Sequence, residues 1–460
     1  MSSCGARRSV CLRRRGGRGG AARRNPRGRR RTAGYRRREE LFAGAVGATS
    51  FPGVPPQVRQ RDDTTSGLSR ATLGAAPPLA VPTAAQTFEL SRCRGTSVRP
   101  DAGRCILLRA PDSVSHQSGG KGRRQMTKRE RVRAIFGRRQ ADRTGFWMGR
   151  PRADSWPAYF SAFGLSTEEE VRQMLGDDYR WIIFQGTCYK HPEGKPIFVN
   201  PRQSEGLSAP GALADCDSVR QVEELEWPDC SYLDFSEWLS ALRSAGDVYR
   251  ASGFWCQFFH DVANLFGMEN YFVKMLTHPD VVHAATRRVV DFYLEANRRL
   301  YALAGEMIDG FFFGNDFGTQ RGLLVGPSLL REFVFPYCRE LVEQAHRHGY
   351  QVILHSCGAV RPIIPDIIAM GVDVIHPLQA RAAGMDAESL ARDFGGAISF
   401  MGGIDTQHLL VHGSPEEVRS EVHRVRRLLG PHYVVSPSHE AVLPNVPPGN
   451  ILAMARAAAE

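Results

Sequence analysis

Short apolar runs that read as buried strands recur along this chain, and past residue 350 they come every 20–35 residues. They are Thr144–Met148, Trp181–Phe184, Gly253–Phe258, Gly310–Phe313, Gln351–Leu354, Val372–Ile375, Ala397–Met401 and Tyr433–Val435. Amphipathic stretches lie between many of them. Leu330, Phe333, Val334, Tyr337, Leu341 and Ala345 form one stripe, which predicts a helix over Leu329–Gly349 stopped by Gly349. Glu416–Leu429 predicts another, with Ser414 as cap and Pro415 in the first turn. This is a βα rhythm, and about eight strands over residues 126–460 suit a (β/α)8 TIM-type barrel. An open doubly wound sheet is the runner-up, but no G-x-G-x-x-G follows a strand. Nothing repeats beyond the βα cadence, which excludes a solenoid.

The net charge of +12 invites a nucleic-acid reading until it is divided. Residues 1–125 hold 26 Lys and Arg against 7 Asp and Glu, whereas the rest of the chain holds 34 against 41. The basicity therefore belongs to the first 125 residues. That segment is Arg/Gly-rich, then Pro/Ala/Thr/Ser-rich, and without periodicity it is expected to be a disordered extension. A nucleic-acid arm would want aromatic residues among the arginines, and only Tyr35 lies near them. A transit peptide would fit the absence of acids before Glu39 and would make the protein organellar. The preferred expectation is an upstream region translated from a start assigned too early. Met126 reads as a natural beginning, with Thr127 and Glu130 as a capping pair and Val132, Ile135 and Phe136 on one face. Ten cysteines without a C-x-x-C pair, and no secretory h-region, point to a reduced cytoplasmic setting. No apolar run of 18 residues marks a membrane span.

In a barrel the loops after the strands build the site. Here they carry Asn315-Asp316 through Gln320-Arg321, His355-Ser356-Cys357-Gly358, His376 to Gln379, Gly402 to Asp405, and Ser438-His439-Glu440. A packed core needs no such collection of polar groups. His355 and Cys357, two residues apart at a strand end, can turn to one point as an imidazole–thiolate donor pair of the zinc type. A buried hydrogen-bonded pair without metal is the simpler reading of an isolated H-x-C. His439 is the best-placed third ligand and Asp316 a fourth. Gly314, Gly358, Gly402 and Gly403 leave room beside these groups. Cys256 and Cys338 fall in apolar stretches as core thiols. His260-Asp261 follows a strand run and is a further candidate to line the site. No Ser/His/Asp order or phosphate-cradling loop is present.

These blocks taken together resemble the uroporphyrinogen decarboxylase superfamily from about Met126 onward. The match rests on Ser356-Cys357-Gly358, the Pro362–Ile368 run, Gly371–Ile375, Met401–Asp405, and Ser438-His439 through Pro447-Pro448-Gly449-Asn450. The resemblance implies a barrel whose site lies at the carboxyl ends of its strands, often paired as a homodimer. It also implies one of two chemistries. Decarboxylases need no cofactor, hold substrate carboxylates with an arginine pair after the first strand, and gather pyrrole N–H groups with an aspartate after the second. Arg150 and Arg152 stand in the first place, but the chain reads Ile183-Phe184-Gln185-Gly186 in the second. An amide is a weaker substitute there than an acceptor-only carboxylate.

Corrinoid-linked methyltransferases hold zinc with His-x-Cys and a later cysteine. His355 and Cys357 fall on that pair, and His439 replaces the later cysteine. The leading expectation is thus a zinc methyltransferase working with a corrinoid protein and a small molecule. In it His355, Cys357 and His439 bind metal, and Asp316, Arg321 and His439 serve catalysis. Arg150, Arg152, Gln379 and Asp405 position an anionic substrate. Porphyrinogen decarboxylation is the alternative. Neither a membrane nor a nucleic-acid partner is expected.

Overall fold

The computed structural model describes residues 125–200 and 209–460. The expectation for the basic extension lies outside the described residues. Helix α1 (Lys128–Phe136) is the first of the described elements, as the sequence predicts. The Thr127 hydroxyl accepts from the Glu130 N–H, and the Glu130 carboxylate accepts from the Thr127 N–H.

Eight parallel strands form one sheet: β1 (Gly145–Phe146), β3 (Tyr179–Trp181), β4 (Tyr249–Ser252), β5 (Gly310–Gly314), β6 (Gln351–His355), β7 (Val374–Leu378), β8 (Ser399–Ile404) and β9 (Tyr433–Pro437). Each pairs with its successor from β3 to β9, and β9 returns to β1. Between β1 and β3 the Asp178 N–H donates to the Phe146 carbonyl at 2.9 Å, and the Asp178 carboxylate accepts from the Phe146 N–H. The result is a nearly closed (β/α)8 barrel. A short parallel pair, β2 (Arg150–Pro151) with β10 (Ala441–Val442), ties the loop after β1 to the loop after β9.

The strand alternation sorts side chains in and out. Trp147, Tyr179, Tyr249, Phe312, Ile353, Val374, Met401 and Val434 fill the barrel, joined by Val132, Ile135 and Phe136 of α1. Phe311 and Phe313 point the other way, to the surrounding helices. Helix α1 therefore plugs one end. Asp309, just before β5, is fully buried there and accepts from Arg129 and Arg133, each at 2.7 Å. That floor leaves the carboxyl-terminal mouth for the site.

Three expectations need correction. The second and third strands are Tyr179–Trp181 and Tyr249–Ser252, not Trp181–Phe184 and Gly253–Phe258. The strands carry Arg180 and Arg250, whose charges are met by Glu169 and Asp309, so they look polar. The apolar runs after them pack in loops. The helix expected over Leu329–Gly349 is two, Pro327–Phe333 and Phe335–Arg347, with Pro336 in the first turn of the second. Among the described residues, no helix is long and apolar enough to cross a membrane.

Candidate functional site

The site begins where β5 and β6 run side by side, Gly314 facing His355 in register. His355 is the last residue of β6 and is buried. Gly358 takes a left-handed φ of +86°, so the chain turns back directly after Cys357. Asp316 follows β5 in the adjacent loop. Its Oδ1 lies 3.2 Å from His355 Nε2 and accepts from the Cys357 N–H at 2.9 Å. Cys357 Sγ lies 3.3 Å from the same Nε2. The Asp316 N–H donates to His260 Nε2 at 3.0 Å, which draws one member of His260-Asp261 into the support of the site. The donor atoms of Asp316, His355 and Cys357 all fall within 4.8 Å of one another.

A second ring of groups surrounds the other face of His355. Its Nδ1 is 3.1 Å from His376 Nδ1 and 3.5 Å from Glu440 Oε2. His376 is fully buried, and its Nε2 has no partner. Two ring nitrogens that close require one to donate and the other to accept. Burial, followed by the charge of His355, pushes the His376 imidazole well below the usual histidine range. It is the neutral acceptor.

Burial opposes charge on His355, but Glu440, Asp316 and Cys357 together hold it well above that range. Burial also opposes charge on Asp316, yet the His355 hydrogen bond and charge and the Cys357 N–H hold its carboxyl well below the usual carboxylate range. The Cys357 thiol is pushed up by burial and pulled back in part by His355. The centre is thus polarised, with an anionic oxygen, an imidazole and a thiol whose proton is the one to be displaced.

The remaining expected residues divide. His439, expected as the third metal ligand, lies beside the cluster and not among its three close donor atoms, where Asp316 stands instead; its ring is perpendicular to that of His355 at 6.0 Å. Its Nδ1 accepts from the Ala441 N–H at 3.0 Å, which leaves Nε2 as the ring's donor. Gln379 Oε1 accepts from the Gly358 N–H at 3.0 Å and from Gln320 Nε2 at 2.8 Å, bracing the turn after Cys357. Asp405 caps its own loop by accepting from the Gln407 and Leu409 N–H groups. It shares a cleft of about 470 Å³ with Gln379 and His439. Arg321 sits exposed at a loop tip and lines neither that cleft nor the larger one.

The larger cleft, about 880 Å³, is lined by Arg150, Trp147, Trp181, Trp255 and Glu440. Arg152 lies at its rim, paired with Asp154 at 3.2 Å. Glu440, His376, Trp181 and Trp255 belong to the site without having been assigned roles from the sequence. His376 falls within β7 rather than after it. Position at or just past a strand end was the available signal.

The uroporphyrinogen decarboxylase (URO-D) family profile matches residues 241–460, which include the donor cluster and its supports. No curated protein matches the chain. Among solved structures, a methyltransferase from Methanosarcina mazei superposes with a TM-score of 0.52 at 15% identity, covering 72% of this chain and 98% of that one. At that identity the likeness is one of fold. Over residues 241–460 the barrel thus matches the uroporphyrinogen decarboxylase family.

Proposed function

We propose that this barrel is a zinc-dependent methyltransferase that moves a methyl group between a corrinoid on a partner protein and a small molecule. One observation carries the reading. His355 Nε2 lies 3.3 Å from Cys357 Sγ and 3.2 Å from Asp316 Oδ1. Zinc bonds of roughly 2.0–2.3 Å set neighbouring tetrahedral ligands about 3.3–3.7 Å apart. Both spacings lie at or just under the short end of that range and all three donor atoms lie within 4.8 Å of one another, which supports a nitrogen–sulfur–oxygen zinc set. The same spacings serve as hydrogen bonds when the donors are protonated, so metal content is the decisive measurement.

When bound, zinc would supply a Lewis acid that keeps a thiol ionised at neutral pH. The chain does the rest. Asp316 stays anionic and orients the Cys357 N–H. His355 offers Nε2 because its Nδ1–H is directed to His376. Trp255 packs edge-on against His355 at 5.2 Å and keeps bulk water from that side. His439 presents Nε2–H to the reacting molecule. Arg150 and Arg152 attract an anionic substrate to the cleft.

Purified wild-type protein is expected to hold about one zinc per chain, and Cys357→Ala to lose it. Zinc-loaded protein with methylcobalamin and a panel of small thiols should bleach the methylcobalamin absorbance. Wild-type protein that stays metal-free in zinc-supplemented buffer would refute the zinc assignment. Loaded protein that leaves methylcobalamin intact with every thiol would refute the transfer in the corrinoid-to-thiol direction.

A further inference from the structure

The cleft at the barrel mouth has one wall of tryptophan. Trp181, at the end of β3, and Trp255, just past β4, meet with ring centroids 4.9 Å apart. The Arg150 guanidinium lies over Trp181 at 5.0 Å. At the other end Trp255 touches the His355 ring at 5.2 Å. Contact by contact, an aromatic surface runs from Arg150 to the donor cluster.

The charges along this wall are largely spoken for. Arg172 pairs with Asp177 and Arg180 with Glu169. Arg152 pairs with Asp154. Among the described residues the Arg150 guanidinium makes no ion pair and no hydrogen bond, only the stacking contact on Trp181. Stacking occupies the face of a guanidinium and leaves its in-plane N–H fork open. That fork matches a carboxylate bidentately. The β2–β10 pairing holds the Arg150 backbone against the Glu440 loop, so the position of this cation is built into the fold.

We propose that the cleft selects a planar aromatic carboxylate as the small-molecule substrate, its carboxylate on Arg150 and its ring against Trp181 and Trp255. This rests on the proposed methyl transfer, for which the far edge of the ring would carry the group presented toward His355 and Cys357. Indole faces favour flat π-systems over saturated rings of similar size. The unpaired arginine favours an acid over the corresponding amide.

Binding to the full chain is measured by tryptophan fluorescence and calorimetry with three probes: 3-methoxybenzoate, 3-methoxybenzamide and cyclohexanecarboxylate. The expected result is 3-methoxybenzoate bound at least about tenfold more tightly than either of the others. Arg150→Met should erase the preference for acid over amide. Trp181→Leu should erase the preference for aromatic over saturated acid. Equal binding of all three probes by wild-type protein overturns the inference, as does no binding of 3-methoxybenzoate at millimolar concentration. The same titrations on wild-type protein held in zinc-supplemented buffer, with its zinc content measured alongside, separate the two proposals. Selective binding by a protein without zinc would retain the cleft assignment and sink the metal assignment. Stoichiometric zinc without selectivity would do the reverse.

Discussion

Replacing His376 with Phe should weaken zinc binding while leaving the fold as stable as before, or slightly more so. The reasoning starts from the two nitrogens of His355. Nε2 faces Cys357 Sγ and Asp316, so a metal there takes the Nε2 lone pair and the ring proton must reside on Nδ1. The nearer acceptor for Nδ1–H is His376 Nδ1 at 3.1 Å, with Glu440 Oε2 farther away at 3.5 Å. Accepting at Nδ1 forces the His376 proton onto Nε2, which is buried without a partner. The protein thus tolerates one unsatisfied buried N–H to fix the tautomer of its neighbour.

Phenylalanine removes both the acceptor and the unsatisfied donor. It keeps the ring that packs between Trp147 and Phe312 at 5.3 and 5.2 Å. Losing the partner of a ligating histidine typically costs about 10–100-fold in metal affinity, or about 1.4–2.7 kcal/mol. Losing an unsatisfied buried donor costs nothing and can stabilise. His376→Asn, with an amide oxygen near the old Nδ1, should recover part of the affinity. Zinc affinity is read by chelator competition, the ligand field by cobalt substitution, and stability by urea unfolding of the metal-free protein. Unchanged zinc affinity in His376→Phe, or an Asn variant no better than Phe, would refute the tautomer argument. A purely packing role for His376 predicts that affinity and stability fall together.

At the barrel floor, Asp309→Ala should destabilise by about 3 kcal/mol in urea unfolding. It strips Arg129, Arg133 and Arg250 of a fully buried partner, though the partial exposure of Arg129 and Arg133 limits the loss. Asp142 gives a pH signature. Burial opposes its charge, but Arg131 and the Met126 N–H bring its carboxyl down to about 2. A depressed folded pKa stabilises above the ordinary carboxylate value and is lost as pH falls from about 4 to about 2. Asp142→Asn should flatten that part of the stability–pH curve by about 2 kcal/mol. An unchanged curve would contradict the assignment. Gly314→Ala would drive a methyl into the Trp255 ring. It should reduce zinc affinity through His355 and shift the tryptophan emission maximum, and an unperturbed spectrum would disprove the contact.

How much of this was readable in the sequence depended on whether neighbouring residues or distant ones decided it. From β5 to β9 the strands are apolar on both faces, because helices cover the outside and side chains fill the inside, so they stand out as runs. At β3 and β4 the strands carry arginines whose partners, Glu169 and Asp309, lie 11 and 59 residues away, and pattern alone could not pair them. The H-x-C pair and Asp316 were legible because strand-end position is local. The sequence places His376 in a loop because its strand continues past Ile375 through a shift in register, which depends on β8. The acceptor role of His439 Nδ1 was likewise invisible, since it comes from the fold of Ala441 back onto the ring.

The choice between the two reactions that the resemblance implies also turns on a contact the sequence does not show. The resemblance implies that a decarboxylase needs a free carboxylate after the second strand to gather several N–H donors, and Gln185 occupies that place. The amide oxygen of Gln185 already accepts the Trp255 backbone N–H at 2.8 Å. Its amide nitrogen turns toward the Tyr293 hydroxyl at 3.4 Å. The group that should receive pyrrole hydrogens is therefore engaged in holding the loop after β4, and with it the Trp255 ring that lies against His355. Where a decarboxylase would spend this position on substrate, this chain uses it to support the wall of the cleft. Gln185→Asp tests the point. If Gln185 only supports Trp255, the aspartate, one methylene shorter and without an N–H for Tyr293, no longer reaches the Trp255 N–H, and aromatic-acid binding should fall without any gain of uroporphyrinogen turnover. Coproporphyrinogen formation by the wild-type protein would overturn the argument at its root.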